Sequence, residues 1–101
     1  MSSGFGGRYA FCVEITFDPE KSERNERERG LPFERAHDFD FKTAVAEPTI
    51  RGGELRVVAF GYLNDRLHVI CFKDVEGGLR VISLRKANKR EATKHGLTLR
   101  R

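Results

Sequence analysis

Leu79-Arg80-Val81-Ile82-Ser83-Leu84-Arg85-Lys86-Ala87-Asn88-Lys89-Arg90-Glu91 is the stretch of this 101-residue chain that decides its fold. Its first half has the apolar, β-branched character of a strand and carries Arg85 to the tip. A short basic helix of about ten residues follows, running to His95 with Gly96 as its stop. Arg85, Lys86, Lys89 and Arg90 thereby stand together on the rim of a small sheet, an arrangement suited to polyanions.

Two more strands precede this one. Leu55 to Tyr62 leads into the tight turn Leu63-Asn64-Asp65-Arg66, and Leu67 to Phe72 is apolar on both faces apart from His68, as a central strand should be. Asp74 to Gly78 turns again, so Leu79 to Leu84 completes an antiparallel meander. Earlier, Ala10 to Phe17 alternates as a strand with Phe11, Val13 and Ile15 on one face. Asp18-Pro19 opens a helix to Arg29, since Asp caps free N–H groups and proline suits the first helical position; Gly30 closes it as a left-handed cap. That helix has no large apolar residue. Its i,i+4 pairs Glu20–Arg24 and Glu23–Arg27 fit either a solvated helix or a polar face resting on a partner or on RNA.

Pro32 opens a second short helix, with Phe33, Ala36, His37 and Phe39 or Phe41 as a core-facing stripe. Lys42 to Glu47 is a short strand or an extended link, and Pro48 to Gly53 a loop. The expected class is α+β: two N-terminal helices packed with an antiparallel sheet, a meander of about three to four strands, and a C-terminal helix. Residues 10–101 form one domain on this reading, behind a flexible N-terminal extension, residues 1–9, without a signal peptide's apolar core.

Charge narrows the partners. Residues 1–50 carry seven Lys/Arg against ten Asp/Glu, or −3, and residues 51–101 carry twelve against five, or +7. A basic second half suits a phosphate-bearing partner through counterion release, although a merely soluble basic surface would carry the same charge. Cys12 and Cys71 lie far apart in apolar contexts outside any metal-ligand spacing, as buried free thiols of a reducing compartment would. No run approaches the roughly 18 apolar residues of a membrane span, so the expected location is the cytoplasm, with no membrane partner.

A nuclease working through the RNA 2′-hydroxyl needs a base for that oxygen, cations for the phosphate and an acid for the leaving group. It needs no metal where arginines hold the phosphate in a bidentate fork. Arg85 at a strand end is the first candidate for that clamp, with Arg56 and Arg80 on neighbouring strands. Glu54, beside Arg56, can orient a cation or accept a proton. Of the three histidines, His37 suits a core position, His68 is either buried or in the concave face, and His95 is the one suited to proton transfer. An ordinary exposed charge is the competing explanation for each charged residue. No zinc pattern, Gly-rich phosphate loop, nucleophile elbow or Cys/His pair occurs, so neither metal nor cofactor is expected.

Taken in order, the segments resemble the BrnT family of bacterial type II toxins. The matching pieces are Phe17-Asp18-Pro19-Glu20-Lys21 with Asn25, Gly30-Leu31-Pro32-Phe33-Glu34 with Ala36, Arg56-Val57-Val58-Ala59-Phe60-Gly61, and Arg80 to Ala87 with Lys89-Arg90-Glu91. The resemblance implies a RelE-like fold and a ribonuclease that halts translation. It also implies neutralisation by a BrnA-type antitoxin, a dimer that alone touches operator DNA. By position Arg56 and Arg85 match arginines of the family motif, Lys21 its early lysine, and Arg90 and Glu91 the charged start of its last helix. Catalysis is expected from Arg56, Arg85, Glu54 and His95, and RNA binding from Lys21, Arg80, Lys86, Lys89 and Arg90. The chain departs from the family pattern at Glu28-Arg29, where Lys-His is usual, at Leu55 and Val57, where an acidic residue and an aromatic flank the arginine, and at His95, where an aromatic is common. A toxin that cuts RNA, a nucleic-acid-binding module without catalysis and an inactive relative kept for its antitoxin complex are the three functions compatible with these residues.

Overall fold

The structure, a computed structural model, describes residues 14–100. Its α+β architecture runs β1 (Glu14–Thr16), α1 (Pro19–Arg29), a 3-10 helix (Phe33–Asp38), β2 (Val45–Arg51), β3 (Glu54–Leu63), β4 (Arg66–Val75), β5 (Gly78–Lys86) and α2 (Lys89–Lys94). The expected extension at residues 1–9, the strand's first half and Cys12 lie outside the described residues.

Five strands form one sheet in the order β1-β5-β4-β3-β2. The meander is therefore four strands long, and a fifth joins it in parallel, Ile15 facing Leu79. This corrects the expected sheet of three or four antiparallel strands. Gly78 permits the extra pairing, because a Cβ there would collide with the Glu14 carbonyl oxygen. β2 corrects the expected loop at Pro48 to Gly53, since pairing with β3 continues through Pro48 to Arg51. Proline is tolerated there because β2 is an edge strand, where a missing ladder N–H costs little. Asn64 and Asp65, both at positive φ, make the two-residue turn that joins β3 to β4.

β5 carries one residue more than β4 across this pairing: Cys71 faces Ser83 while Phe72 faces Val81, leaving Ile82 unpaired in a bulge. Strand side chains alternate faces, so an extra residue reverses the alternation beyond it. Leu84 consequently joins Leu79 and Val81 in the helix-covered core, and Arg85 falls on the opposite face.

The first core, Leu31, Phe33, Ala36, Phe39 and Phe41 against Ala59, Leu63, Ile70, Phe72, Leu79, Val81 and Leu84, lies beneath α1 and the 3-10 helix. Three residues per turn align Phe33, Ala36 and Phe39, and this spacing sends His37 out to solvent instead of into the expected core stripe. A smaller core on the other face packs Phe60, Leu67 and Val69 against Ala87 and Ala92, with Leu97 and Leu99 alongside. α2 is six residues long because β5 continues to Lys86, and Asn88 caps it in a reciprocal box with Glu91.

α1 docks without apolar contacts of its own. The residues it buries are Ser22 and Asn25. The Asn25 Nδ2 donates to the carbonyls of Leu31 (2.7 Å) and Leu84 (2.8 Å), and its Oδ1 accepts from Arg29 Nη1 at 2.8 Å. Ser22 Oγ accepts from the Phe33 N–H at 2.8 Å. The pairs Glu20–Arg24 and Glu23–Arg27 are not among the ion pairs of the described residues. An Asn25→Asp variant sets an acceptor against two buried carbonyls. It should lose about 3 kcal/mol, counting one to three for each unmet buried group, whereas Glu23→Ala on the exposed face should stay within about 0.5 kcal/mol of wild type. Urea denaturation followed by circular dichroism measures both.

Candidate active site

The face of the sheet away from α1 is only partly covered. α2 and residues 97–99 close the end around Phe60, and among the described residues the rest is open. On the open part Arg56, Arg85, Arg51, Cys71 and Ser83 line a cavity of about 350 Å³ floored by Val58 and Val69. Three guanidinium groups thus converge from β2, β3 and β5. Thr49 faces Arg56, Cys71 faces Val58 and Ser83, and Val69 faces Arg85, so the strand registers build the wall directly.

Each of the two family-motif arginines is held by a carboxylate. Arg85 grips Glu91 in a bidentate fork, Nη1 to Oε1 at 3.0 Å and Nη2 to Oε2 at 2.6 Å. That hydrogen bonding holds the Glu91 carboxyl below its ordinary range and raises the Arg85 guanidinium. Arg56 donates to Glu54 Oε1 from Nε (3.3 Å) and Nη2 (3.0 Å), while Lys73 Nζ takes the other carboxylate oxygen. The bonds from Lys73 and then Arg56 lower the Glu54 pKa, so it is ionised at neutral pH. Lys73 directly faces Arg80 across β4 and β5, a like-charge pair that Glu54 offsets from the side.

His95 stands apart from this cavity. Its ring stacks on Phe60 (centroids 4.1 Å apart, planes at 32°) and its Nδ1 lies 3.6 Å from Glu47 Oε2. Four residues of β3 separate Phe60 from Arg56, a span of roughly 13 Å at strand rise. The remaining cations distribute around β5. Lys21 lies with Arg24 and Arg29 in a groove between α1 and Ser83. Lys86 faces His68 on the helix side, and Lys89 and Arg90 are exposed at the start of α2.

Sequence reasoning missed Arg51 and Lys73. Arg51 ends a strand where the residues from Pro48 to Gly53 suggest a loop, and Lys73 joins the site only through its pair with Glu54. Counting pairs back from the Asn64-Asp65 turn would have set Lys73 on the face of Arg56, because hairpin register follows from turn length. Cys71 is a free, half-buried thiol whose pKa burial raises, against the smaller pull of Arg56 and Arg51, so it is poorly suited to act as a nucleophile. Among the described residues, no group of three or more His, Cys, Asp and Glu could hold a metal ion, and no helix is long and apolar enough to cross a membrane.

The Arg85–Glu91 pair has a testable pH signature. Because the folded-state pKa of Glu91 lies below the unfolded value of about 4.3, the pair's stabilisation is present above that pH and lost as pH falls through the lower folded value. The stability gap between wild type and Glu91→Gln should therefore hold from pH 7 down to about pH 5 and shrink below that in parallel thermal melts.

The family model described as "Ribonuclease toxin, BrnT, of type II toxin-antitoxin system" matches residues 17–91, most of the chain and all of the cavity wall. No curated protein and no solved structure matches.

Proposed function

The chain belongs to the BrnT family of ribonuclease toxins of type II toxin-antitoxin systems, and from that premise we propose a metal-independent endoribonuclease of RelE-like fold that halts translation by cutting RNA. The observation that carries the site assignment is the convergence of Arg51, Arg56 and Arg85 on one cavity. Three fixed cations supply the charge that a phosphate needs as it passes through its pentacoordinate state.

In this mechanism a 2′-hydroxyl attacks the adjacent phosphorus, its proton passing to a base as the new O–P bond forms. The bond from phosphorus to the 5′-oxygen breaks, and that oxygen takes a proton from an acid. The products are a 2′,3′-cyclic phosphate and a 5′-hydroxyl. Glu54 is the proposed base, since it is ionised beside a phosphate-holding guanidinium. His95 is the proposed acid, and it reaches the leaving group only if α2 tilts away and frees it from Phe60 and Glu47. Arg80 guides the strand on the open face, and Lys21, Lys86, Lys89 and Arg90 hold flanking phosphates around β5.

The partner proposed is a BrnA-like antitoxin, a DNA-binding dimer through which alone the complex meets operator DNA. The exposed pair Ile50 and Leu55, facing each other at the β2–β3 tip, offers it an apolar contact. A second reading has a specific observation behind it: carboxylates already occupy the forks of Arg85 and Arg56. If a phosphate cannot displace them, the chain acts by binding its antitoxin or nucleic acid without cleavage. The two readings separate on purified protein. Arg56→Ala and Arg85→Ala should each lower RNA cleavage by about 10²–10³, the usual loss for one transition-state charge contact. Wild-type rates in both variants remove the assignment, and an inactive, well-folded wild type favours the second reading.

A further inference from the structure

A second cationic cavity lies on the other face of the sheet, at the same end of β5. It has a volume of about 420 Å³, and Arg29, Arg35, Arg66, Lys86 and His68 line it. No Asp or Glu is among its lining residues. Arg29 is held by the Asn25 amide oxygen at 2.8 Å, an acceptor that leaves its charge in place, and one bond of Arg66 goes to the Ala87 carbonyl at 2.7 Å. Arg35 pairs with Asp38 at 3.3 Å, but the Asp38 side chain is 60% exposed, and such a pair opens readily. Neither Arg29 nor Lys86 takes part in an ion pair among the described residues.

A groove links the lining residues of this cavity to those of the first. Arg29 and Lys86 also line a groove shared with Arg85, and Arg85 in turn lines the candidate active site. A basic track therefore passes from the open face, around the end of β5, to the helix side. A lone anion would need only one of these cavities, whereas a polyanionic strand would use the track.

His68 gives the second cavity chemistry beyond charge. It is 3% exposed, and its Nδ1 lies 2.7 Å from the Arg66 carbonyl. A carbonyl can only accept, so Nδ1 carries the proton and Nε2 of the neutral ring is left with a lone pair. Burial, chiefly, and the neighbouring Arg66, Lys86 and Arg35 charges lower its pKa and keep the ring neutral, against the backbone bond that favours protonation. A phosphodiester has no proton to offer that lone pair. A ribose 2′-hydroxyl does.

We propose that this second cavity is a ribonucleotide subsite that flanks the scissile one, with the phosphate on Arg29, Arg35 and Lys86 and the ribose 2′-hydroxyl donating to His68 Nε2. It rests on the reading of the chain as an RNA-cutting enzyme, and it gives the enzyme a means of telling RNA from DNA away from the reacting bond. The test is steady-state cleavage of a single-stranded RNA by wild type, Arg35→Glu and His68→Phe, with DNA of the same sequence and inorganic phosphate as competitors. Arg35→Glu should raise KM about tenfold with kcat within twofold, the pattern of lost uniform binding. It should also flatten the salt dependence by about one phosphate contact. His68→Phe should raise KM for RNA while leaving the inhibition constant of DNA unchanged. Should His68→Phe not fold, the variant at half-buried Arg35 still decides.

Wild-type KM in Arg35→Glu, with cleavage intact, overturns the subsite and leaves the active-site assignment standing. Loss of antitoxin affinity at unchanged KM assigns the cavity to an acidic protein segment and overturns it too. So does inhibition by inorganic phosphate that Arg35→Glu abolishes at unchanged KM, which marks a free-anion site. Absence of any cleavage by wild type removes the active-site reading and this one with it.

Discussion

Arg85 reaches the open face of the sheet only because Ile82 takes no partner in β4. Strict alternation from Arg80 would have turned Arg85 inward beneath the helices and left Leu84 exposed. The bulge reverses both, so one unpaired residue buries an apolar side chain and delivers a guanidinium to the cavity. The outer edge of β5 also needs a donor, because β1 is only three residues long. β1 ends its pairing at Arg80, and further along the Asn25 amide donates to the Leu84 carbonyl in place of a neighbouring strand. A charged helix without a large apolar residue can dock here because the sheet asks it for a hydrogen bond rather than for hydrophobic surface.

Electrostatics on the open face balance two needs. Arg51, Arg56, Lys73, Arg80 and Arg85 would repel one another if left alone, and Glu54 and Glu91 relieve that repulsion while fixing the guanidinium planes. Glu91 at the same time completes the cap of α2, so the ion pair to Arg85 ties that short helix to β5. On the proposed mechanism an incoming phosphate would compete with both carboxylates and so couple substrate binding to the position of α2. His95, stacked on Phe60 at the far end of α2, would feel the same movement.

Much of this was legible in the residues. Asp18-Pro19 and Gly30 bounded α1 correctly, and Asn64-Asp65 gave the central hairpin because positive φ at both turn positions suits these residue types. Arg56 and Arg85 could be paired because their strands could be recognised. The strand at Ala10 to Phe17 was legible too, but its parallel pairing was not, since Ile15 meets Leu79 far along the chain and no local pattern names that partner. The second half of β2 was hidden by Pro48, which argues against a strand until that strand is known to lie at an edge, while its start fell within the short strand or link expected at Lys42 to Glu47. His37 went astray because an α-helical period was applied to a 3-10 turn. The bulge at Ile82 has no local signature in Val81-Ile82-Ser83, so the face of Arg85 could be learned only from the register.

On the proposed mechanism, fixed guanidinium groups on the open face let an RNA 2′-hydroxyl cut its own backbone. End-group analysis of RNA cleaved by the purified protein in excess EDTA tests it most directly. Undiminished cleavage with 2′,3′-cyclic phosphate and 5′-hydroxyl ends is the expected result. Ends bearing a 5′-phosphate, or activity that vanishes with the chelator and returns with added divalent metal, would contradict it.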